Sequence, residues 1–293
     1  MASSSKWIRI DRPFILPAYI KTAIEKLDAA GHVAYLVGGC VRDFLLGFDS
    51  KNTKDHDIAT SADPDEMVRL FPQAVTVGKQ FGVLKVPVEY LGATKSGKLV
   101  EIATFREDLG YKDYRHPKKI RFSSAVEDAK RRDFTINALY YDPKTSRVLD
   151  PTGGVEDLRD EIVRAIGDAE ERFREDALRL LRAVRFTTRF GFALDPATAQ
   201  AVKVRAKLLP KVSQERIRDE LTLMLTGNNS EESLKLLAQL GLLVQVLPEL
   251  ERLRASQSKV WNHTLKIVAA LESQNPLRSA PLAWSALLLD LSE

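Results

Sequence analysis

Two carboxylates one residue apart, Asp55 and Asp57, follow a glycine pair and an arginine in Val37-Gly38-Gly39-Cys40-Val41-Arg42-Asp43. In Asp55-His56-Asp57-Ile58-Ala59 the strand period of two puts both acids on one face. Carboxylates so placed can bridge hard divalent cations, and Mg²⁺ takes a few carboxylates plus substrate phosphates. Upstream, residues 33–37 read as a strand, and Gly38-Gly39 let the backbone approach a ligand with no Cβ in the way. Residues 40–46 read as a short helix whose free N–H groups face an anion, with Arg42 adding charge and fork geometry. The combination suits two-metal phosphoryl or nucleotidyl transfer. Taken singly, Gly-Gly also reads as a plain turn, and Asp-x-Asp as a solvated loop.

Three further groups bear on that chemistry. Glu101 sits in the strand-like Leu99-Val100-Glu101-Ile102-Ala103-Thr104, where an unpaired buried charge is costly, so it faces either solvent or the metals as a third carboxylate. In Arg131-Arg132-Asp133-Phe134-Thr135-Ile136-Asn137, Asp133 and Asn137 can hold ribose hydroxyls and the arginines can meet phosphates. A capped helix start accounts for Asp133 and Thr135 equally well. Asp176 and Arg179, three apart in a helical run, are neighbours on one helix surface. One accepts and the other donates. Cytosine and adenine present an amine donor beside a ring-nitrogen acceptor, whereas guanine and uracil present the reverse. The pair can therefore accept CTP and ATP and reject GTP and UTP, because the wrong bases leave buried polar groups unpaired. An ordinary intrahelical ion pair has the same spacing. Arg182 and Arg185 continue at three-residue steps, to reach phosphates or to be solvated.

These residues need a scaffold, and the chain is long enough for two or three compact units at 293 residues. Hydrophobic content of 44% with 29% charged residues fits a globular chain, and no apolar run is long enough for a membrane span. The single cysteine excludes an internal disulfide framework, and with no secretory signal evident the expected location is cytoplasmic. Net charge is only +4, yet nine basic residues fall between Lys112 and Arg132 with Tyr111, Tyr114 and Phe122 close by. That stretch reads as an RNA-binding loop or a solvated one. Up to about residue 150 short strands and helices mix, with a helix at 15–30, strands near Val33, Asp57, Val83 and Leu99, and a helix at 64–71. Beyond 155 helices are expected at 171–190, 196–207, 213–225, 230–240, 259–272 and 281–291. The fold class is α+β: a head with a small mixed β-sheet (1–150), then an all-α neck (151–227) and an all-α body (228–293).

On these motifs the chain resembles the class II CCA-adding tRNA nucleotidyltransferase and bacterial poly(A) polymerase family, within the polymerase β nucleotidyltransferase superfamily. Gly38-Gly39-x-Val41-Arg42-Asp43 with Asp55-x-Asp57 resembles its catalytic motif, and Arg131 to Ala138 its ribose motif. Asp150-Pro151-x-Gly153-Gly154 resembles a hinge-like motif, Glu175-Asp176-x-x-Arg179 its base-reading motif, and Ser213-x-Glu215-Arg216-Ile217-x-x-Glu220 a helix-stabilising one. The resemblance implies two Mg²⁺ ions on Asp55 and Asp57, the tRNA 3′ end as acceptor, and CTP and ATP as donors read without a template. It also implies a nucleotide site of Gly38, Gly39, Arg42, Arg132, Asp133, Asn137, Asp176, Arg179, Arg182 and Arg185. The segment Val77 to Val86 departs from the poly(A) polymerase pattern and looks more like CCA-adding members. The stretch 106–121 looks full length, which favours CCA or A addition over CC addition. A catalytically inactive RNA- or nucleotide-binding module is the alternative from another class. Asn262-His263-Thr264-Leu265 and Leu287-Leu288-Leu289-Asp290 resemble a metal-dependent HD phosphohydrolase with Leu289 where a His is expected, so a second metal site is not expected. The family's usual tail looks short or truncated.

Overall fold

The computed structural model describes residues 6–48, 56–94, 97–111, 113, 117–275 and 278–292. The chain divides into two units, Met1–Gly110 with Pro117–Asp160, and Tyr111–His116 with Glu161–Glu293. The first contains β1 (Lys6–Arg9), α1 (Ala18–Ala29), β2 (Ala34–Val37), α2 (Gly39–Leu45), β3 (Asp57–Thr60), α3 (Pro64–Leu70), β4 (Val83–Pro87) and β5 (Leu99–Thr104). Then come β6 (Arg106–Tyr111), β7 (Pro117–Phe122), α4 (Ala125–Lys130), β8 (Tyr140–Asp142), β9 (Arg147–Asp150) and α5 (Gly154–Arg159). Seven strands form one mixed sheet in the order β1-β9-β8-β2-β3-β5-β4, with β3 and β5 parallel and the other pairs antiparallel.

Local sequence explains the elements around the catalytic motif. α3 starts on a full capping box: the Asp63 carboxylate accepts from the Glu66 N–H, the Glu66 side chain accepts from the Asp63 N–H, and Pro64 takes the first turn. Under the sheet Leu36, Ile58, Leu84 and Ile102 are fully buried, which fixes the strand faces. Arg106–Tyr111 and Pro117–Phe122, within a stretch expected as a loop, form the two-stranded β6–β7 sheet. Arg121 pairs with Glu107 across that ribbon.

The first unit runs to Asp160, ten residues beyond the expected boundary. The reason is α5. The Asp150 carboxylate accepts from the N–H groups of Thr152, Gly153, Gly154 and Val155 at 2.9–3.2 Å, satisfying the helix start. Thr135 Oγ1 then donates to Asp157 at 2.6 Å. A Cβ on Gly154 would fall inside van der Waals contact of the Thr135 carbonyl, so this motif fastens α5 to the ribose-motif segment. Gly154→Ala is expected to destabilise the first unit by about 2–3 kcal/mol through overpacking. Urea denaturation checks this, with Gly153→Asn as the milder comparison because Gly153 has φ 84 but open space.

From Glu161 on, the described residues of the second unit are helical apart from a short parallel pair, β10 (Ile162–Val163) and β11 (Ala193–Leu194). Its helices are α6 (Ala169–Glu175), α7 (Arg179–Phe190), α8 (Pro196–Arg205), α9 (Gln214–Thr226), α10 (Ser230–Gln239), α11 (Leu243–Val246), α12 (Pro248–Ser256), α13 (Ser258–Gln274) and α14 (Ala280–Leu288). Glu161–Glu293, which spans the expected neck and body, falls in one unit, with α7 packed on both α9 and α10. The helix expected over 171–190 is two helices. Asp176 leaves α6 with φ −143 and ψ 102, and α7 starts at Arg179. Among the described residues no helix is long and apolar enough to cross a membrane.

Candidate active site

In the first unit the Gly38 backbone (φ 76) turns the chain from β2 into α2, a conformation that a side chain would strain. Asp57 opens β3 directly across from Val37 and is exposed. Asp55 lies outside the described residues. Cys40, the second residue of α2, sits against Asp57: burial first, and the Asp57 charge second, push its thiol up to about 12. It stays a thiol at neutral pH. Continuing the Ile58–Ile102 register by one residue sets Glu101 beside Asp57 on the same face of the sheet. Glu101 is half exposed, with the Lys85 ammonium 3.9 Å away, which places it on the accessible surface. Exposed carboxylate oxygens on neighbouring strands are the donor set a hard divalent cation takes. Among the described residues no group of three or more His, Cys, Asp or Glu side chains converges.

Arg42 is not a loose cation aimed at a ligand. It is buried, donates through Nε to Asp43 at 2.8 Å and through Nη1 to Asn137 Oδ1 at 2.5 Å, and so ties α2 to the ribose-motif segment. Asn137 Nδ2 in turn donates to Asp133 Oδ1 at 3.1 Å, and the Phe134 N–H to the same oxygen at 2.8 Å. Asp133 therefore does not cap the short helical turn Thr135–Asn137, whose start has no side-chain cap. Its carboxylate is oriented beside Asn137.

Asp128 and Tyr140, absent from the sequence-based site, organise the arginine pair. Asp128 is buried and accepts from Arg131 at 2.7 and 2.9 Å, from Arg132 at 3.0 and 3.2 Å, and from the Tyr140 hydroxyl at 2.7 Å. Arg132 Nε also donates to the Tyr140 oxygen at 3.0 Å, and its Nη1 lies 3.6 Å from where a Gly38 Cβ would be. Burial alone would lower the Arg132 pKa, but Tyr140 and Asp128 hold it raised. Burial would likewise raise Asp128, but Arg132 and Arg131 outweigh it and hold the acid at about 2, below its ordinary 3.8. The spacing of Asp128 to Arg131 and Arg132, three and four residues, was the readable signal.

The sign of the pH dependence follows. A depressed acid contributes stability that is complete above its unfolded pKa and lost as pH falls through its folded one. Asp128 is expected to supply about 2 kcal/mol that disappears between about pH 5 and pH 2. Urea denaturation across that range should show an acid limb flattened by about that amount in Asp128→Asn.

In the second unit Asp176 is gripped by a residue 40 positions away. Arg216 donates Nη1 to Oδ1 at 3.2 Å and Nη2 to Oδ2 at 2.9 Å, a bidentate fork, while the Leu178 N–H donates to Oδ1 at 3.1 Å. Arg179 donates Nη1 to Glu175 at 2.8 Å and to the Arg172 carbonyl at 3.0 Å, and Arg172 pairs with Glu175 at 2.5 Å. Asp176 and Arg179 thus occupy the break between two helices, not one helix surface, and each is fixed by its own partner. Both are partly exposed. Arg185 is neither solvated nor extended: it is buried and donates Nε to Glu220 at 2.5 Å and Nη2 at 3.3 Å. Burial lowers its pKa, and Glu220 opposes that. Arg182 lies 3.7 Å from the same carboxylate. These two arginines join α7 to α9, which supports the helix-stabilising reading of Glu220. His263 Nδ1 lies 3.1 Å from Asp290, which also accepts from Thr264 at 2.6 Å.

A mixed sheet with a glycine-capped helix beside a strand-borne acid defines a head of the nucleotidyltransferase type, and a helical unit follows it in the chain. The Poly A polymerase head domain matches residues 34–164, and the probable RNA and SrmB-binding site of polymerase A matches 191–253. A CCA-adding enzyme of Geobacillus stearothermophilus is 45% identical over 75% of this chain and 52% of its own. The crystal structure of the Bacillus stearothermophilus CCA-adding enzyme in complex with CTP superposes with a TM-score of 0.75 at 37% identity, over 94% of this chain and 64% of its own. A tRNA nucleotidyltransferase complexed with a primer tRNA and an incoming ATP analog gives 0.70 at 26% identity, over 92% of this chain and 74% of its own. The chain belongs to the class II CCA-adding tRNA nucleotidyltransferase and bacterial poly(A) polymerase family. It spans about half to two thirds of the length of the curated relatives it matches.

Proposed function

We propose that this chain transfers CMP and AMP from CTP and ATP to the 3′ end of tRNA, completing CCA and releasing pyrophosphate without a template. The carrying observation is the preset pair in the second unit. Asp176 offers a carboxylate held in a fork by Arg216, and Arg179 offers a guanidinium held by Glu175 and the Arg172 carbonyl. A fixed acceptor beside a fixed donor matches the edges of cytosine and adenine and mismatches guanine and uracil. Membership of the family supports the same reading.

Asp55 and Asp57, with Glu101 as a third acid, would hold two Mg²⁺ ions, which when bound lower the pKa of the 3′-hydroxyl and neutralise the triphosphate. The chain's own residues bind and orient. Asp133, set by the Phe134 N–H and the Asn137 amide, and Asn137 itself take the ribose hydroxyls. Gly38 and Gly39 shape the turn ahead of α2, and Arg132, held raised by Asp128 and Tyr140, brings fixed positive charge to it. Arg42 positions α2 through Asn137 instead of meeting phosphate itself. The 3′-hydroxyl oxygen attacks the α-phosphorus, its proton departs, and the bond to the pyrophosphate oxygen breaks.

The experiment is incorporation on transcripts ending before CCA, after C and after CC, each offered single nucleotides with Mg²⁺. CMP on the first two and AMP on the third is the expected pattern. AMP alone on the third marks an A-adding enzyme, long adenylate tracts a poly(A) polymerase, and no incorporation by folded protein removes the enzymatic reading.

A further inference from the structure

We propose that the first unit carries a second phosphate-binding site, away from the transfer site, in the basic cleft between β1 and the β8–β9 turn. Arg9, Arg12, Lys144 and Arg147 line a cleft of about 560 Å³ against a single acid, Asp11. Its place follows from the sheet register. Val37 pairs with Tyr140 and Leu36 with Tyr141, so β8 leads away from the Gly38 turn and the 143–146 turn lies at the opposite end of the sheet.

Two observations point to an anion. Arg9 and Arg147 stand directly opposite each other on paired strands, an arrangement of like charges that destabilises a sheet unless something bridges them. Asp11 reaches Arg9 only at 4.0 Å, and Asp28 takes Lys144, which leaves Arg12 and Arg147 with no carboxylate partner among the described residues. Arg12 is fixed by stacking over Phe44 at 4.4 Å. The turn is fixed as well. Asp142 accepts from the Lys144 N–H at 2.9 Å and from Thr145 Oγ1 at 2.7 Å, and Ser146, at φ 54, takes the Ile10 N–H at 3.1 Å. These contacts seat Arg12 on Phe44 and fix the turn next to exposed Arg147, and guanidinium forks match phosphate oxygens bidentately.

An adjoining cleft of about 490 Å³ shares Pro13, Lys144 and Ser146, with Phe14, Tyr141 and Pro143 on one side and Lys21, Glu25 and Asp28 as its polar wall. A cleft with one apolar and one polar wall beside a phosphate cradle fits a nucleotide, either free or within an RNA strand. The site does not depend on the transfer reaction, and its failure leaves that reading intact.

The test uses the whole chain with CTP and Mg²⁺ saturating, and follows a short labelled oligoribonucleotide by anisotropy across a salt series. Arg147→Ala is expected to weaken binding about tenfold and to reduce the slope of log K against log salt by about 0.7, the release expected for one phosphate on a single strand. Arg147→Lys should restore most of the slope and Arg147→Glu should weaken binding further. Arg147 is chosen because Arg12 also covers Phe44. In a parallel arm, inorganic pyrophosphate should raise the melting temperature of the wild type more than that of Arg147→Ala if free phosphate is the ligand. An effect confined to the oligoribonucleotide identifies the strand. CMP incorporation should be unchanged in each variant. Equal binding of both probes by wild type, Arg147→Ala and Arg147→Glu overturns the site.

Discussion

Asp57→Asn is expected to reduce CMP and AMP incorporation at least about a thousandfold while leaving the thermal transition nearly unmoved. The loss follows from removing a charged oxygen donor where the account places the ions that stabilise attacking and leaving oxygens. The fold is spared because Asp57 is exposed at the first position of β3, whereas the next residues, Ile58 to Thr60, are buried. CTP binding should weaken less than turnover falls, since Gly38, Asp133 and Asn137 remain. Single-turnover incorporation and nucleotide binding, measured on the same preparation, separate these effects. The Cys40 thiol gives an internal check: with the neighbouring charge gone its pKa should drop from about 12, though burial, the larger cause, keeps it raised.

Replacing Asp176 should change which nucleotides are used more than how fast. In Asp176→Ala the carboxylate that accepts from an exocyclic amine is gone, and GTP and UTP no longer leave it unpaired. The preference for CTP over UTP and for ATP over GTP, as ratios of kcat/KM, is expected to fall at least about a hundredfold. Arg216→Met should produce a weaker version of the same loss. Arg216 holds both oxygens of Asp176. A purely structural role for Arg216 would lower activity with all four nucleotides equally, so the ratio of ratios distinguishes positioning from folding.

Which parts of this were legible in the chain depended on the distance over which the deciding interaction acts. The Gly38 turn and α2 were readable to within a residue because a positive φ and a helix start are local events. The α3 start was readable for the same reason, with Asp63, Pro64 and Glu66 within four residues. The break at Asp176 was not. Glu171 to Phe190 has continuous helical composition, and the interruption is held by Arg216, 40 residues on, whose identity carries no local mark. Arg185 shows the same limit: its three-residue step from Arg182 suggests a solvated or phosphate-facing row, but Glu220 on α9 draws it into the core. The β6–β7 ribbon was read as a loop because its charges and aromatics obscure the strand alternation. Glu101 lies on a half-exposed strand position and Asp133 is ordered beside Asn137, two placements for which the residue types alone had left alternatives open.

In the proposed function, nucleotide selection falls to protein side chains, with no template strand. The most direct measurement is a competition on a tRNA transcript lacking CCA, with all four nucleotides present at equal concentration and the added residues identified by sequencing. The prediction is C, C and A at the three positions, with G and U together below about one in a hundred, and loss of that exclusion in Asp176→Ala. Addition of all four nucleotides in similar amounts by the wild-type chain, or an exclusion that survives unchanged in Asp176→Ala, would contradict it.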